Sequence, residues 1–458
     1  MKPPNPKSFY ACSSCGSVFA RWQGQCPECG TWDSLHEEKE PGRPGGSRAK
    51  GKRAAPETIE LAKVPAETMG IIASGISEFD NVLGGGAVPG STILVGGEPG
   101  IGKSTLLLQV AGRLALRGIA TLYVSGEESA AQIKRRADRL GIHSDLRLLT
   151  ETDLPAILAA ADGAKPSLGA LILDSIQTTF DRQWQSPPGT VSQVRECAAA
   201  ISEWARRTQA AAFLVGHVTK DGFIAGPKVL EHLVDTVLQF EGDRRQWIRI
   251  LRCLKNRYGS THEVGLFEMT EAGLKEVLDP SGHFLSGGPG AGQGPGTAVA
   301  VAIEGRRPLL LEIQALVGQG TGGNMPQRVV SGLDPRRAAI LIAILHNVAG
   351  LPLSGRDIYL NITGGYTTDE PAVDLACAVA IASSALKRSV PDRTVFIGEV
   401  GLGGEIRGVP QLKRRLIEAE KIGFRAALVP AANSREVAYG GEMEIQPVGH
   451  ISRALEMV

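Results

Sequence analysis

The sequence predicts an α/β protein built on a mostly parallel sheet, preceded by a small cysteine-rich module and followed by an α+β domain. Three observations carry this. Between residues 59 and 280, short apolar runs alternate with helical patterns, the β-α-β rhythm of a parallel sheet. Four of the seven cysteines fall within the first 29 residues. A Gly-dense stretch, SGHFLSGGPGAGQGPGT, then separates these 280 residues from a second run of strands and helices.

Composition narrows the classes. The chain has 458 residues, enough for roughly three domains. With 43% hydrophobic and 21% charged residues, wholesale disorder is excluded. Lys and Arg number 49 against 48 Asp and Glu, so any surface that attracts nucleic acid must be local. Aromatic residues are only 5%, which argues against wide base-stacking platforms. The start, MKPPNPKSFYACSSC, lacks an apolar signal region. The best apolar run, AAILIAILHNVAGLPL, is interrupted by His346 and Asn347 and falls short of the roughly 20 residues a membrane span needs. A cytoplasmic protein with no membrane contact is expected.

In chain order, residues 1–36 form the cysteine module. Cys12-x-x-Cys15 and Cys26-x-x-Cys29 are two knuckles separated by ten residues. Each presents two thiolates to one side of a tetrahedral metal, and four soft ligands select Zn²⁺. Four thiolates leave no open position, so the site is structural. A module this small cannot bury enough apolar surface alone, and the metal would supply its folding energy. Trp22 and Trp32 are either its small core or a contact surface. The isolated Cys197, Cys253 and Cys377 read as small buried apolar residues. Residues 37–58 are a linker. Its part from Pro41 to Arg53 carries five basic residues and no acid, either as a solubilising tether or as a weak contact to a phosphate backbone.

Within 59–280, STILVGG, ATLYVSG, GALILDS and AAFLVGH read as buried strands, and STLLLQVAGRLALRG and VSQVRECAAAISEWARRTQ as helices. DTVLQFEG and QWIRILRCLKNR are further strands. GEPGIGKST, from Gly97 to Thr105, matches G-x-x-x-x-G-K-[ST] between a strand and a helix. Gly97, Glu98, Pro99, Gly100, Ile101 and Gly102 would form the loop around the phosphates, its glycines letting the backbone N–H groups approach them, and the helix start at Lys103, Ser104 and Thr105 adds a positive end. Lys103 should reach the β- and γ-phosphates of ATP, and Ser104 should hold Mg²⁺. Asp174, at the end of GALILDS, is the expected second carboxylate for Mg²⁺. Glu127 and Glu128 follow the strand ATLYVSG. Glu127 is the favoured base for the attacking water, with Glu128 as alternate. His217, at another strand end, is a candidate sensor of the γ-phosphate. The stretches 175–190 and 218–234 read as irregular loops, whose Arg182, Lys220 and Lys228 would contact DNA in a ligand-coupled way. In LKNRYG, Lys255 and Arg257 share one face of a strand. They would reach a neighbouring subunit's γ-phosphate or grip DNA.

Residues 281–296 form the second linker, and 297–458 the last domain. It opens with the strand-like TAVAVAIEGRRPLLLEIQALV.

The four-cysteine module, GEPGIGKST, YVSGEES, ILDSIQT, GHVTKDGFIAGPKVLEH and LKNRYG, in this order, resemble the RadA (Sms) family of bacterial DNA-repair proteins over nearly the whole chain. The resemblance implies a RecA-like ATPase core. It implies a homo-hexameric ring on single-stranded and branched DNA, driving branch migration with ATP, with the RecA recombinase as partner. Residues 255–259 match the family's KNRFG motif, with Tyr258 in place of Phe. The last domain resembles the Lon proteolytic domain from DEPAVDLACAVAIASS to VFIGEVGLGGEIRGVPQLKRRLIEAEKIGF. Lon-type peptidases use a Ser–Lys dyad. Lys413 stands at the Lys position, but Ala372 stands where the nucleophilic Ser would be, so no peptidase activity is expected. The basic residues Arg306, Arg307, Arg336, Arg337, Lys413, Arg414 and Arg415 would then line a DNA path or form a solvated surface. Two other classes compete with a DNA motor: a signalling or clock-type RecA-fold ATPase acting on protein, and an ATP-dependent protease, which Ala372 opposes.

Overall fold

The computed structural model describes residues 8–12, 18–27, 30, 32–39, 70–184, 186–216, 227–242, 248–278, 282, 284–285, 294–320, 326–434 and 439–457. The chain divides into two units, Met1–Glu241 with Ile250–Glu276 and Gly242–Arg249 with Val277–Val458.

The amino-terminal module is a three-stranded antiparallel ribbon in the order β2-β1-β3, from β1 (Ser8–Cys12), β2 (Val18–Phe19) and β3 (Leu35–Lys39). The third strand carries the ribbon to Lys39, past the 36/37 boundary read from composition, because residues 37–39 pair with residues 8–10 of β1. Its described core is Cys12, Cys26 and Leu35, packed by Tyr10 and Phe19. Trp22 and Trp32 are not part of it. They are 56% and 71% exposed, with both indoles near Gly24.

The middle of the chain holds a nine-stranded sheet in the order β12-β11-β10-β9-β4-β8-β7-β5-β6. Six strands run parallel: β4 (Thr92–Gly97), β5 (Thr121–Ser125), β6 (Arg147–Thr150), β7 (Ala170–Asp174), β8 (Ala211–Val215) and β9 (Thr236–Glu241). The antiparallel edge is β10 (Ile248–Asn256), β11 (Val264–Thr270) and β12 (Gly273–Glu276). The helices are α1 (Ser77–Leu83), α2 (Lys103–Leu116), α3 (Ala130–Arg139), α4 (Leu154–Asp162), α5 (Val191–Thr208) and α6 (Pro227–Leu233). Two apolar layers clothe the sheet, as a sheet buried on both faces requires. Ile93 and Val95 of β4 point into a layer with Leu106, Leu107, Val110 and Leu114 of α2, whereas Leu94 joins Ile157 of α4 and Ile201 and Trp204 of α5. Each such fully buried side chain contributes about 1.5–3 kcal/mol. This alternation fixes the register of β4 and so the point where the loop after it leaves the sheet.

One segment departs from its sequence reading. Residues 227–233, within the stretch expected to be an irregular loop, form α6. Seven residues that follow a Gly and open on Pro227 give too short a periodic signal to read. The 175–190 stretch has no regular element, but the side chain of Gln193 pins it. Its Nε2 donates to the carbonyls of Asp181, Trp184 and Ser186, and its Oε1 accepts from the Asp181 N–H.

The carboxyl-terminal unit has a seven-stranded sheet in the order β15-β16-β14-β13-β17-β20-β21. TAVAVAIEGRRPLLLEIQALV forms the antiparallel hairpin of β13 (Thr297–Glu304) and β14 (Arg307–Val317). Then come β15 (Arg328–Ser331), α7 (Pro335–Asn347), β16 (Ile358–Ile362), α8 (Asp374–Leu386), β17 (Thr394–Phe396), the β18–β19 ribbon (Glu399–Val400 and Ile406–Arg407), α9 (Leu412–Ile422), β20 (Ala426–Pro430) and β21 (Glu444–Val448). Helix α8, LACAVAIAS in the middle, is apolar all round and buried along that stretch. No helix among the described residues is long and apolar enough to cross a membrane.

Candidate nucleotide site

The carboxyl ends of parallel strands are where open α/β sheets bind ligands. Here β4, β7 and β5 end in Gly97, Asp174 and Ser125, and β8 lies between β4 and β7. The strand order brings the GEPGIGKST loop, the strand-end carboxylate and the two glutamates after β5 to one edge.

The loop after β4 is built for close approach. At Gly97 (φ +156°) a Cβ would lie 2.6 Å from the carbonyl oxygen of Phe240, so a side chain there would collide with β9. Gly102 precedes α2 and offers no side-chain cap, which leaves the first amides of the helix to an outside acceptor. Lys103 is 3% exposed, and its Nζ donates to the carbonyls of Gly97 (2.8 Å) and Glu98 (2.9 Å). Burial lowers its pKa from 10.5 to about 8, and the nearby negative charges of Asp174, Glu127 and Glu98 oppose that shift. An ammonium held this way gains when a polyanion enters. Ser104 and Thr105 follow it in the first turn, both half-buried.

Asp174 is 5% exposed. Its Oδ2 accepts from the Tyr123 hydroxyl at 2.7 Å, and its buried Oδ1 meets no donor among the described residues. Such an orphaned carboxylate oxygen is costly unless a ligand supplies a donor. It suits a magnesium-bound water. The loop after β7 abuts the end of β5. Gly126 N–H donates to Asp174 O at 2.9 Å, and a Cβ on Gly126 would sit 2.2 Å from Thr178 Oγ1. That contact fixes where the next two residues point. Glu127 Oε1 accepts from Ser175 Oγ at 2.6 Å, one residue past Asp174. Glu128 turns instead to Arg136 of α3 in an ion pair, and its N–H donates to Ser125 Oγ at 3.1 Å. The two glutamates, equivalent in the sequence, therefore have different partners.

Lys255 and Arg257 both reach the end of α6. Lys255 Nζ donates to the carbonyls of Glu231 and Val234 (2.8 Å to the latter), and burial with the neighbouring Arg257 charge lowers its pKa. Arg257 pairs with Asp235 at 3.3 Å, and Asp235 also accepts from the N–H of Thr92, the first residue of β4. The segment is thus stitched to the strand that carries the phosphate loop. Arg182 is 83% exposed along its side chain, 3.7 Å from Asp153. His217 and Lys220 lie outside the described residues, as does the side chain of Lys228 on α6. In the ribbon, Cys12 and Cys26 are 1% exposed and neither forms a disulfide, while Cys15 and Cys29 lie outside the described residues.

Three family models match: "AAA domain" over residues 56–222, "Rubredoxin metal binding domain" over 10–37 and "Subunit ChlI of Mg-chelatase" over 333–433. DNA repair protein RadA of Pseudomonas aeruginosa is 46% identical over 452 residues, covering 98% of both chains. The chain belongs to the RadA family of DNA repair proteins. The RadA proteins of Bacillus subtilis (45% identity, 98% of both chains) and Escherichia coli K12 (45% identity, 99% of this chain and 98% of that one) are similar over the same span. As a RadA-family chain it has a RecA-like ATP-binding core, a metal-binding ribbon and a ChlI/Lon-like domain.

In the Lon-like domain of this RadA-family chain, residues 372 and 413 stand at the Ser and Lys positions of the resemblance. Ala372 is 2% exposed, whereas Lys413 is exposed on α9. Two buried ion pairs surround the Ala372 position. Arg415, fully buried, binds Glu370 and donates to the carbonyls of Val301 and Pro410, and Arg337 binds Asp374. Arg415 is therefore a structural cation, which corrects its reading as part of a DNA-lining or solvated surface, whereas Arg337, paired with Asp374, keeps part of its side chain exposed.

Sequence reasoning missed Tyr123, Ser175 and Gln193. A lone Tyr in the apolar run TLYVS reads as core. The only available signal was a hydroxyl on a strand paired in parallel with the strand that ends in Asp174.

Proposed function

We propose that this chain is a DNA-dependent ATPase of recombinational repair that binds single-stranded and branched DNA and drives branch migration as a hexameric ring, with the RecA recombinase as partner. One observation carries the ATPase part: Lys103, the orphaned Oδ1 of Asp174 and Glu127 share one edge of the sheet. The loop amides of residues 97–105 hold the triphosphate of ATP, and Lys103 exchanges its two loop carbonyls for phosphate oxygens. Ser104 and Asp174 are the residues that would hold Mg²⁺, which neutralises charge on the β- and γ-phosphates when bound. Glu127, steadied by Ser175, orients a water for in-line attack and takes its proton. Glu128 is committed to Arg136 and does not share that role.

The relatives' name, DNA repair protein, supports the DNA substrate. Lys255 and Arg257 act as fingers on a neighbouring subunit's γ-phosphate. To do so they release α6, which carries Lys228 and follows residues 217–226, so that His217 would sense the γ-phosphate and Lys220 and Lys228 would meet DNA. ATP would then loosen and tighten the grip on the strand once per turnover. Cys12, Cys15, Cys26 and Cys29 would hold Zn²⁺, and the two buried thiols of Cys12 and Cys26, with Leu35, Tyr10 and Phe19 packed around them, fit that donor set. The test is ATP-driven strand extension on a three-stranded recombination intermediate. Wild type should extend, and Lys103→Ala and Lys255→Ala should not. Extension by both variants would refute the mechanism.

A further inference from the structure

We infer that Tyr123 is a positioning residue for metal binding, its hydroxyl fixing the Asp174 carboxylate so that Oδ1 alone faces the magnesium side of the site. The inference rests on the Mg²⁺-ATP reading above and adds a residue to it. Tyr123 lies on β5 and is 1% exposed, and β5 pairs in parallel with β7, which ends in Asp174. Its Oη donates to Asp174 Oδ2 at 2.7 Å, while Oδ1 is buried and finds no donor among the described residues. A carboxylate with both oxygens free would turn about its Cβ–Cγ bond and would be drawn toward the Lys103 ammonium, whose charge it already feels. The tyrosine removes that freedom. A hydrogen bond to one oxygen holds the plane and leaves the other for a metal-bound water. The ring itself packs into the apolar layer of α2, so the hydroxyl is the only polar atom it brings to the sheet edge. On a strand of Thr, Leu, Val and Ser, no other residue combines that reach with a donor.

Groups behind a metal ligand typically change metal affinity by about 10–100-fold when removed. Tyr123→Phe keeps the ring and deletes only the donor. The measurement is binding of a fluorescent, non-hydrolysable ATP analogue, titrated with MgCl₂. In Tyr123→Phe, the half-saturating Mg²⁺ concentration should rise by about 10–100-fold, with the Mg²⁺-free nucleotide affinity unchanged. Turnover should return at high Mg²⁺. A packing role alone would lower thermal stability and leave the Mg²⁺ midpoint in place, and that outcome overturns the inference. If the wild-type chain binds no nucleotide, the ATPase reading itself fails. Wild-type binding with an unmoved midpoint in the variant sinks only the role of Tyr123. Should Tyr123→Phe not fold, wild-type protein carrying 3-fluorotyrosine gives a second reading. Tyr123 and Tyr366 are its fully buried tyrosines among the described residues. The buried ¹⁹F resonance that survives Tyr366→Phe should shift when Mg²⁺ joins bound nucleotide, and a static resonance refutes the contact.

Discussion

Raising the pH from 7 to 9 should weaken nucleotide binding through one side chain. Lys103 is buried against the carbonyls of Gly97 and Glu98, and burial brings its pKa down to about 8. A bound triphosphate surrounds the same ammonium with negative charge and returns it toward its ordinary range. The sign follows from linkage. The empty site loses its proton as the pH rises through 8, whereas the occupied site keeps it, so binding takes up a proton and affinity falls at high pH. With a pKa of about 8, roughly half a proton is taken up at pH 8. Affinity at pH 9 is then about tenfold below that at pH 7, about 1.4 kcal/mol. ATP itself is fully ionised across most of this range and masks little of the effect. The assay is titration calorimetry of a non-hydrolysable ATP analogue at pH 8, in two buffers that differ in ionisation enthalpy. Lys103→Arg, whose charge persists at pH 9, should bind without proton uptake. Zero uptake by the wild type, with an affinity constant from pH 7 to 9, would refute the reasoning.

Four more expectations follow from the structure. Glu127→Gln should retain ATP binding and lose about 10²–10⁴ in hydrolysis rate. Glu128→Gln gives up only a half-exposed pair with Arg136, worth up to about 1 kcal/mol, and should stay within tenfold of wild type in a phosphate-release assay. Ala372→Ser should not create a peptidase, because Lys413 is exposed on α9 rather than buried beside residue 372; casein cleavage by the variant would contradict this. Metal analysis should find about one zinc per wild-type chain and none after Cys12→Ser with Cys26→Ser, since these two thiols and Leu35 are the ribbon's described core.

The phosphate loop was legible because its chemistry is local. Glycines that let backbone meet phosphate, a Lys and a Ser at fixed offsets, and flanking strand and helix patterns all lie within one stretch of chain. The parallel sheet was legible for a similar reason, since strands buried on both faces read as continuous apolar runs. Glu127 and Glu128 could only be ranked. Their separation depends on Ser175 and Arg136, contributed by a neighbouring strand's loop and by a helix turn, and adjacency in sequence hides both. Tyr123 was invisible because its hydroxyl matters only across the β5–β7 pairing. In the ribbon, Trp22 and Trp32 offered two readings, and their exposure excludes the core one. In the last domain, the Ala at position 372, where the Lon pattern has Ser, was plain in the sequence. The pairing of fully buried Arg415 with half-buried Glu370 was not, because one charged residue in KRR looks like the next until burial sorts them.

The account turns on a triphosphate site whose turnover answers to DNA. The most direct measurement is the steady-state ATPase rate of the wild-type chain and of Lys103→Ala, each with and without single-stranded oligonucleotide in low salt. The account predicts a wild-type rate that rises on adding the oligonucleotide and a Lys103→Ala rate at background in both conditions. A wild-type rate indifferent to DNA, or undiminished hydrolysis by Lys103→Ala, would contradict it.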